Sequence, residues 1–225
     1  MKYVKSITLI CLSLTLVYTA MAFAKEKVEL PEVTVEGLVR VPDSELAIVY
    51  ADPEADLSHF KRVKLLEPYV AFKKDWQRNY NRTATSRIGM TSSDMDRIKS
   101  DMAKEFNQVF TEVLEKGGYP VVDEAAEDVL LVRAAIVDLN PTAPDTRSAG
   151  INRTYTQSAG DMSLYIELYD SQTGDIIAKA LDKQVDGRHS GYYTWANPAS
   201  NAAAAKRILR GWATILLDAL NETKK

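Results

Sequence analysis

The sequence predicts an α+β domain: a mostly antiparallel sheet of four to six strands with two long helices packed on one face. Two stretches place apolar residues at intervals of three and four, as amphipathic helices do, and one hairpin alternates apolar and polar side chains. Between the first helix and this hairpin lies a nearly continuous apolar run, which indicates a central strand. Since no repeat or linker interrupts the order strand, helix, strand, strand, strand, helix, residues 61–225 are predicted to form one domain.

Residues 1–24 are predicted to be a cleavable secretory signal peptide. Two lysines precede an apolar run over residues 7–18, and Ala22-Phe23-Ala24 is the small-x-small pattern after which signal peptidase cleaves. A membrane-spanning helix needs about 20 apolar residues, which is more than this run offers. The alternative is an uncleaved membrane anchor. We expect cleavage between Ala24 and Lys25, and a periplasmic domain after it.

The only cysteine, Cys11, lies within the predicted signal peptide. A lipid-anchor site has a small residue directly before its cysteine, whereas Leu9-Ile10 precedes this one, so we expect no lipid anchor here. A domain without cysteine has no disulfide, thiolate or iron–sulfur chemistry. The chain carries a net charge of −3. This acidity, together with export, argues against nucleic acid as a partner.

Residues 25–60 are predicted to form an extended N-terminal arm with one or two edge strands, because the apolar residues alternate there but three prolines interrupt them. One apolar run in this arm, Leu46 to Tyr50, is expected to present an exposed strand edge. Arg62 to Glu67 is the first strand of the domain, and Pro68 ends it.

The first long helix is predicted after a cap at Ser92-Ser93-Asp94, and it ends at Gly117-Gly118. Its apolar stripe consists of Met95, Ile98, Met102, Phe106, Val109, Phe110 and Val113. The second long helix runs from Asn201 to about Leu220. Its buried stripe is predicted to consist of Ala205, Ile208, Leu209, Trp212, Ile215, Leu216 and Ala219.

The remaining strands lie between the two helices. Tyr119 to Val122 is a short strand, and Val129 to Leu139 is apolar enough for a strand that is covered on both faces. Asp161 to Asp170 alternates between apolar and polar residues. The turn Ser171 to Gly174 then returns the chain into Asp175 to Asp186, so these two segments are predicted to form a hairpin.

Several of these segments resemble a bacterial envelope family. They are the run from Ala55-Asp56-Leu57-Ser58 through Phe72-Lys73-Lys74-Asp75-Trp76, the strand VLLVRAAIVDLNP and the hairpin GDMSLYIELYDSQTGDIIAKALD. The family is domain of unknown function 3313, whose members are often described as lipoproteins. The resemblance covers most of the chain after the signal peptide and implies an envelope location and this fold, but no chemistry. The lack of a lipid-accepting cysteine is a departure from the lipoprotein pattern.

No catalytic residue, metal site or cofactor is predicted. The only histidines, His59 and His189, are far apart in the sequence and lack the spacing of a zinc site. Carboxylates cluster between residues 123 and 128 and flank the hairpin turn, where they commonly cap the backbone. The enzymatic alternative is a pair of glycosidase carboxylates that are distant in sequence.

Three long loops follow predicted strands, over residues 71–91, 140–158 and 188–200. If the strands that precede them run in the same direction, the loops meet at one edge of the sheet. Their basic and aromatic side chains suit anionic groups, sugars or a protein surface. The predicted binding residues are Lys73, Lys74, Trp76, Arg78, Arg82, Arg147, Arg153, Arg188, Tyr192, Tyr193 and Trp195. The alternative is that the loops are solvated connections whose aromatic rings cover the ends of helices.

We therefore expect a non-enzymatic binding or envelope-assembly accessory module that does not itself span the membrane. Its expected partner is a protein or an anionic envelope component. One alternative is a hydrolase of envelope glycans, which needs two carboxylates about 5–10 Å apart in a pocket. Another is a structural complex subunit that pairs with another chain through the strand edge at Leu46 to Tyr50.

Overall fold

The structure is a computed structural model that describes residues 29–83, 89–142, 154–156, 160–186, 194–196 and 198–222. The predicted signal peptide lies outside the described residues. The strands are β1 (Val39–Arg40), β2 (Ile48–Ala51), β3 (Arg62–Leu65), β4 (Tyr69–Phe72), β5 (Val129–Pro141), β6 (Thr154–Thr156), β7 (Gly160–Asp170), β8 (Ile176–Val185) and β9 (Thr194–Ala196). The helices are a short 3-10 helix (Leu57–His59), α1 (Trp76–Thr83), α2 (Ser92–Lys116) and α3 (Pro198–Glu222).

The described residues form an α+β fold around a mixed seven-stranded sheet, in the order β1-β2-β8-β7-β5-β3, with β4 also paired to β5. The pairs from β1 to β5 are antiparallel, whereas β3 and β4 both run parallel to β5. The sheet is mostly antiparallel, as predicted, but it has more than four to six strands. One reason is Pro68, which has no N–H for the ladder and separates β3 from β4 along the same edge of β5.

Alternation along β5 and β7 gives the sheet two different faces. One face, which we call the even face, is formed by the even-numbered residues of these two strands and carries buried apolar side chains: Leu130, Val132, Ala134, Ile136, Met162, Leu164, Ile166 and Leu168. They belong to one hydrophobic cluster with buried residues of α2 and α3. The odd face is only partly buried, and the side chain of Arg133 there is 58% exposed. The expectation that β5 is covered on both faces is therefore wrong.

A bulge near the end of β5 reverses this alternation. β5 and β7 keep one register up to the pair of Val137 and Ser163. The next pair is Asn140 and Asp161, which leaves one extra residue in β5. Within the bulge, Asp138 is exposed and has a φ of +54°. The extra residue turns Leu139 toward the even face, where it is buried in the hydrophobic cluster.

The N-cap of helix α2 lies one residue before the predicted cap, and the helix begins at Ser92. Thr91 is the N-cap, and it forms a capping box with Asp94: each residue's side chain accepts a hydrogen bond from the other's backbone N–H, at 3.1 Å in both directions. At the other end Gly118, with a φ of +88°, takes the left-handed conformation. Gly117 is required for a different reason, because a Cβ there would lie 2.2 Å from Leu217 Cδ1 of α3.

Helix α3 is tied to the sheet by a polar contact within the core. Trp212 Nε1 donates a hydrogen bond of 2.7 Å to Oδ2 of Asp182 in β8, and both residues are buried. The helix starts earlier and ends later than predicted. Leu209 and Leu216 of its predicted stripe are buried, whereas Ala219 is exposed.

The hairpin prediction is confirmed, since β7 and β8 pair along their length around the predicted turn. Oδ1 of Asp170 accepts hydrogen bonds from the backbone N–H groups of Gln172 and Thr173, at 2.7 and 3.0 Å. Gly174 closes the turn with a φ of +76°, a conformation that favours glycine.

The N-terminal arm contributes β1 and β2 to the main sheet. β2 pairs with β8, and β1 pairs with the outer side of β2, where the N–H of Val41 also donates to the carbonyl of Val49 at 2.9 Å. The expectation of a free strand edge at Leu46 to Tyr50 is therefore wrong over its second half. The predicted strand at Tyr119 to Val122 is reduced to a single bridge between Val121 and Val63.

The odd face contains a compact polar cluster around Glu167, which is 6% exposed. Its carboxylate accepts hydrogen bonds from Arg133 Nε at 2.6 Å, from the Tyr165 hydroxyl at 2.6 Å and from the Tyr169 hydroxyl at 2.9 Å. Burial acts to raise the pKa of Glu167, but the two tyrosine hydroxyls and the guanidinium outweigh it and leave this pKa lowered. Burial also raises the pKa of Tyr165 and Tyr169.

We predict that Asp138→Val destabilises the fold by about 1–3 kcal/mol, because a β-branched residue is strained at positive φ. Asp138→Gly is the matched control and should change the free energy of unfolding little, since glycine adopts this conformation readily. Urea unfolding of both variants measures the difference. Equal stability of the valine and glycine variants would contradict the strain at the bulge.

We predict that Glu167→Gln flattens the dependence of stability on acid pH. Since the folded pKa of Glu167 lies below its ordinary value of 4.5, its ionisation stabilises the fold above that pH. This contribution disappears as the pH falls through the folded pKa. The wild type should therefore lose more stability than the variant between pH 6 and pH 3, in urea melts at about four pH values. Glu115→Gln, at an exposed position of α2, is the control; parallel curves for wild type and Glu167→Gln would refute the prediction.

Candidate functional site

The long connections that follow β4, β5 and β8 all leave the sheet at the same end. β4 is parallel to β5, and β8 has the same direction as β5 because each is antiparallel to β7. The three strands finish at Phe72, Pro141 and Val185, and we call this end of the sheet the loop end. The strand directions therefore meet the condition under which the three predicted loops come together.

The second and third connections also contact one another through a small separate sheet. β6 and β9 form an antiparallel two-stranded ribbon, in which Tyr155 lies opposite Trp195 in the backbone register. Trp195, one of the predicted binding residues, is thus placed in this ribbon. The other predicted residues of these two connections, namely Arg147, Arg153, Arg188, Tyr192 and Tyr193, lie outside the described residues.

The first connection contains a helix, α1, which was predicted only as part of a loop. The connection folds back onto itself before α2 begins: Gln77 Nε2 and Asn81 Nδ2 both donate to the carbonyl of Met90, at 3.0 Å, and the N–H of Met90 donates to Asn81 Oδ1 at 2.6 Å. These hydrogen bonds hold α1 against the start of α2.

The described basic residues of the predicted site are on this first connection. Lys73, Lys74, Arg78 and Arg82 are all exposed. Asp75 neutralises part of this charge through its ion pair with Arg78, at 3.1 Å. The structure therefore brings four predicted binding residues together on one exposed segment at the loop end.

Trp76 differs from the other predicted binding residues because it is only 6% exposed. Its ring stacks between those of Phe72 and Tyr80, with centroid distances of 4.6 and 5.3 Å. Burial also raises the pKa of Tyr80. The sequence suggested Trp76 as a stacking surface for a ligand, but its ring is used to pack α1 against the end of β4.

A cavity of about 300 Å³ lies at the loop end, bounded by α2, α3 and the ends of the central strands. Its apolar wall includes Ile98, Met102, Leu139, Met162, Ala205 and Ile208. The bulge in β5 is responsible for one of these contacts, since it turns Leu139 inward. The volume falls at the lower limit of small-molecule sites, which are typically about 300–1,000 Å³.

The polar part of the cavity wall is mainly acidic: Asp101, Glu105, Asp161 and Asp186 line it, with Arg97 and Asn201. Cations outside the wall partly neutralise these carboxylates. Asp161 pairs with Lys183 at 3.4 Å, Asp186 with Arg207 at 2.5 Å, and Glu105 with Lys206 at 3.2 Å.

Gly160 is also part of the cavity wall. It has a φ of +147°, and a Cβ there would lie 2.6 Å from the carbonyl oxygen of Asn140. Its own carbonyl accepts a hydrogen bond of 3.0 Å from the N–H of Asp186, which fixes the point at which the chain leaves β8. The wall residues of the cavity come from separate segments between positions 97 and 208, so local patterns in the sequence do not predict it. The one local signal is Gly160, which directly precedes an alternating strand.

The hydrolase alternative requires a pair of carboxylates in a pocket, and the cavity does contain carboxylates. Both Asp161 and Asp186, however, have cationic partners. Glycoside hydrolysis needs two carboxyl groups about 5–10 Å apart, one of which carries a proton. The hydrolase alternative stays a prediction.

The part of the chain that the structure describes contains no group of three or more histidine, cysteine or acidic side chains that could hold a metal ion. None of its helices is both long enough and apolar enough to cross a membrane. The ring of His59 is tilted by 39° against that of Phe60, with a centroid distance of 3.8 Å, and His189 lies outside the described residues.

Several solved structures have a partial likeness to this chain. PelC from Paraburkholderia phytofirmans, a dodecamer, is 11% identical with a TM-score of 0.35, over 72% of this chain and 94% of its own. A neuraminyllactose-binding hemagglutinin homolog from Helicobacter pylori is 13% identical with a TM-score of 0.37, over 73% and 88%. A DUF330 protein from Xanthomonas campestris is 14% identical with a TM-score of 0.34, over 74% and 86%. TM-scores this low support no argument about fold or function.

No curated protein matches the chain. The model of the family described as protein of unknown function (DUF3313) matches residues 35–216. This match spans the main sheet and most of α3, and it agrees with the resemblance of the individual segments. The chain therefore belongs to the DUF3313 family.

Proposed function

We propose that this protein is a non-enzymatic binding module of the bacterial cell envelope, and that its partner binds at the loop end of the sheet. The observation that carries the proposal is the direction of β4, β5 and β8, which sends all three long connections to the end that also holds the cavity. Binding residues are commonly found on connections that a rigid scaffold positions.

The location in the envelope is part of this proposal. It is supported by the signal-peptide pattern of residues 1–24 and by a chain whose only cysteine lies within that pattern. We further propose that α2 and α3 together cover the even face. In support of this, their buried residues share one cluster with Leu130, Ile136 and Leu164. The two helices and the sheet would then form the scaffold that holds the connections in place.

The exposed charge on the first connection indicates the chemistry of the partner. Lys73, Lys74 and Arg82 have exposed side chains, and Arg78 is only partly neutralised by Asp75. On a chain with a net charge of −3, this local excess of cations favours an acidic partner. The partner is accordingly a protein with an acidic surface or an anionic component of the envelope.

We predict that reversing two of these charges removes the partner. In the double variant Lys74→Glu/Arg82→Glu, the amount of partner that co-purifies from envelope extracts should fall at least about tenfold, because close like charges oppose association. The double variant Lys104→Glu/Lys116→Glu is the matched control. It makes the same change in charge at exposed positions of α2 and should retain the partner. Quantitative mass spectrometry of the purified complexes measures both.

Circular dichroism must show that both double variants remain folded. Equal recovery of the partner with the two double variants would contradict a partner site on the first connection. Loss with the control alone would move the site to α2.

A further inference from the structure

We propose that the cavity at the loop end binds an amphipathic amine, with an unbranched hydrocarbon chain inside and the ammonium group paired with Asp186. This inference rests on the proposed function in assigning ligand binding to the loop end. It concerns a different part of that end from the charged first connection, so that the two can be tested independently.

The shape and wall of the cavity suit a single hydrocarbon chain. Ile98 and Met102 of α2, Leu139 and Met162 of the sheet, and Ile208 of α3 provide apolar surface from three sides. A volume of about 300 Å³ equals about ten water-sized groups at about 30 Å³ each. A chain of about eight carbons therefore fits. Each methylene that enters should tighten binding about fourfold.

Asp186 supplies a buried acceptor that needs a donor. The residue is 7% exposed and lines the cavity. Arg207 donates to Oδ1 of its carboxylate, at 2.5 Å. Oδ2 has no hydrogen-bond partner among the described residues. Buried carboxylate oxygens are rarely left without a donor, so this atom is a point at which a ligand can donate a hydrogen bond.

The charge of the wall selects a cationic head group. Four carboxylates line the cavity, and Asp101 among them is exposed at its rim. The cations that pair with Glu105, Asp161 and Asp186 lie outside the wall, where Arg97 is the one basic residue among those that line the cavity. Arg97 is itself close to Asp94, at 3.7 Å. A carboxylate head group would be placed next to like charges, whereas an ammonium group would be attracted to them and would donate to Oδ2.

Isothermal titration calorimetry with three probes of equal chain length tests the head group. Octylamine should bind measurably, octanol should bind more weakly, and octanoate should bind most weakly or not at all. Hexylamine should bind about sixteenfold more weakly than octylamine, since it lacks two methylenes. Octanoate binding as tight as octylamine binding would overturn the proposed amine. If none of the four molecules binds, the cavity proposal as a whole is wrong.

Two variants, each with a matched control, test the position of the ligand. Asp186→Asn should weaken octylamine at least tenfold, because a hydrogen bond between charged groups is lost, and should change octanol binding little. Asp101→Asn at the exposed rim should have a much smaller effect on octylamine. Ala205→Leu, which fills the cavity, should abolish binding of both probes, whereas Ala203→Leu on the exposed side of α3 should not.

Thermal melting must accompany these titrations because Asp186→Asn also removes the ion pair with Arg207. If that variant does not fold, Ala205→Leu against Ala203→Leu still decides whether the ligand occupies the cavity. Unchanged octylamine binding by Ala205→Leu would overturn the proposal. That result would not affect the proposed partner site on the first connection. Likewise, charge reversal on the first connection should not change octylamine binding.

Discussion

The pairing of β5 with β7 is the constraint on which the rest of the structure depends. From Leu130 opposite Asp170 to Pro141 opposite Gly160, this ladder alternates apolar and polar side chains across the two faces of the sheet. The bulge at Asp138 interrupts the alternation once, close to the loop end. If the register were unbroken, Leu139 would lie on the odd face, and the cavity would lose part of its apolar wall.

The same pairing determines where the chain can place function. Because β8 returns antiparallel to β7, it finishes at the same end as β5, and the parallel edge strand β4 finishes there too. The three long connections that follow these strands therefore start at one end of the sheet, and none of them is part of the pairing of β5 with β7. The opposite end has the tight turn after β7, in which Asp170 and Gly174 are occupied by local hydrogen bonds and backbone conformation. The fold therefore constrains the residues of the loop end less than those of the turn at the opposite end, and a binding role is easier to place at the loop end.

Much of the fold could be predicted because it depends on local periodicity. The alternation in Asp161 to Asp170 predicts a strand with one buried face, and the spacing from Ile98 to Val113 predicts the long helix. The bulge at Asp138 could not be predicted, since it exists only in the pairing of two strands. The parallel direction of β3 and β4 likewise depends on a crossover that encloses two helices, and local sequence does not encode this direction.

The candidate site was less predictable than the fold for a related reason. Exposure of Lys73, Lys74, Arg78 and Arg82 follows from their charge, but the burial of Trp76 depends on the neighbouring rings that α1 brings to it. The role of Asp186 is a more extreme case. Its sequence neighbours indicate only the end of a strand, and the carboxylate becomes distinctive once α3 provides Arg207 on one side and the cavity lies on the other.

Site-specific photo-crosslinking in intact bacterial cells shows directly whether a partner binds at the loop end. A photoreactive residue would be placed at Arg78 or Asn79 of α1 at the loop end, and at Gln172 or Glu124 at the opposite end; all four positions are exposed. We expect a partner to be crosslinked from the α1 positions and not from the other two. Crosslinks from Gln172 or Glu124 alone would show that the partner binds away from the loop end, which would overturn a binding role for this end of the sheet.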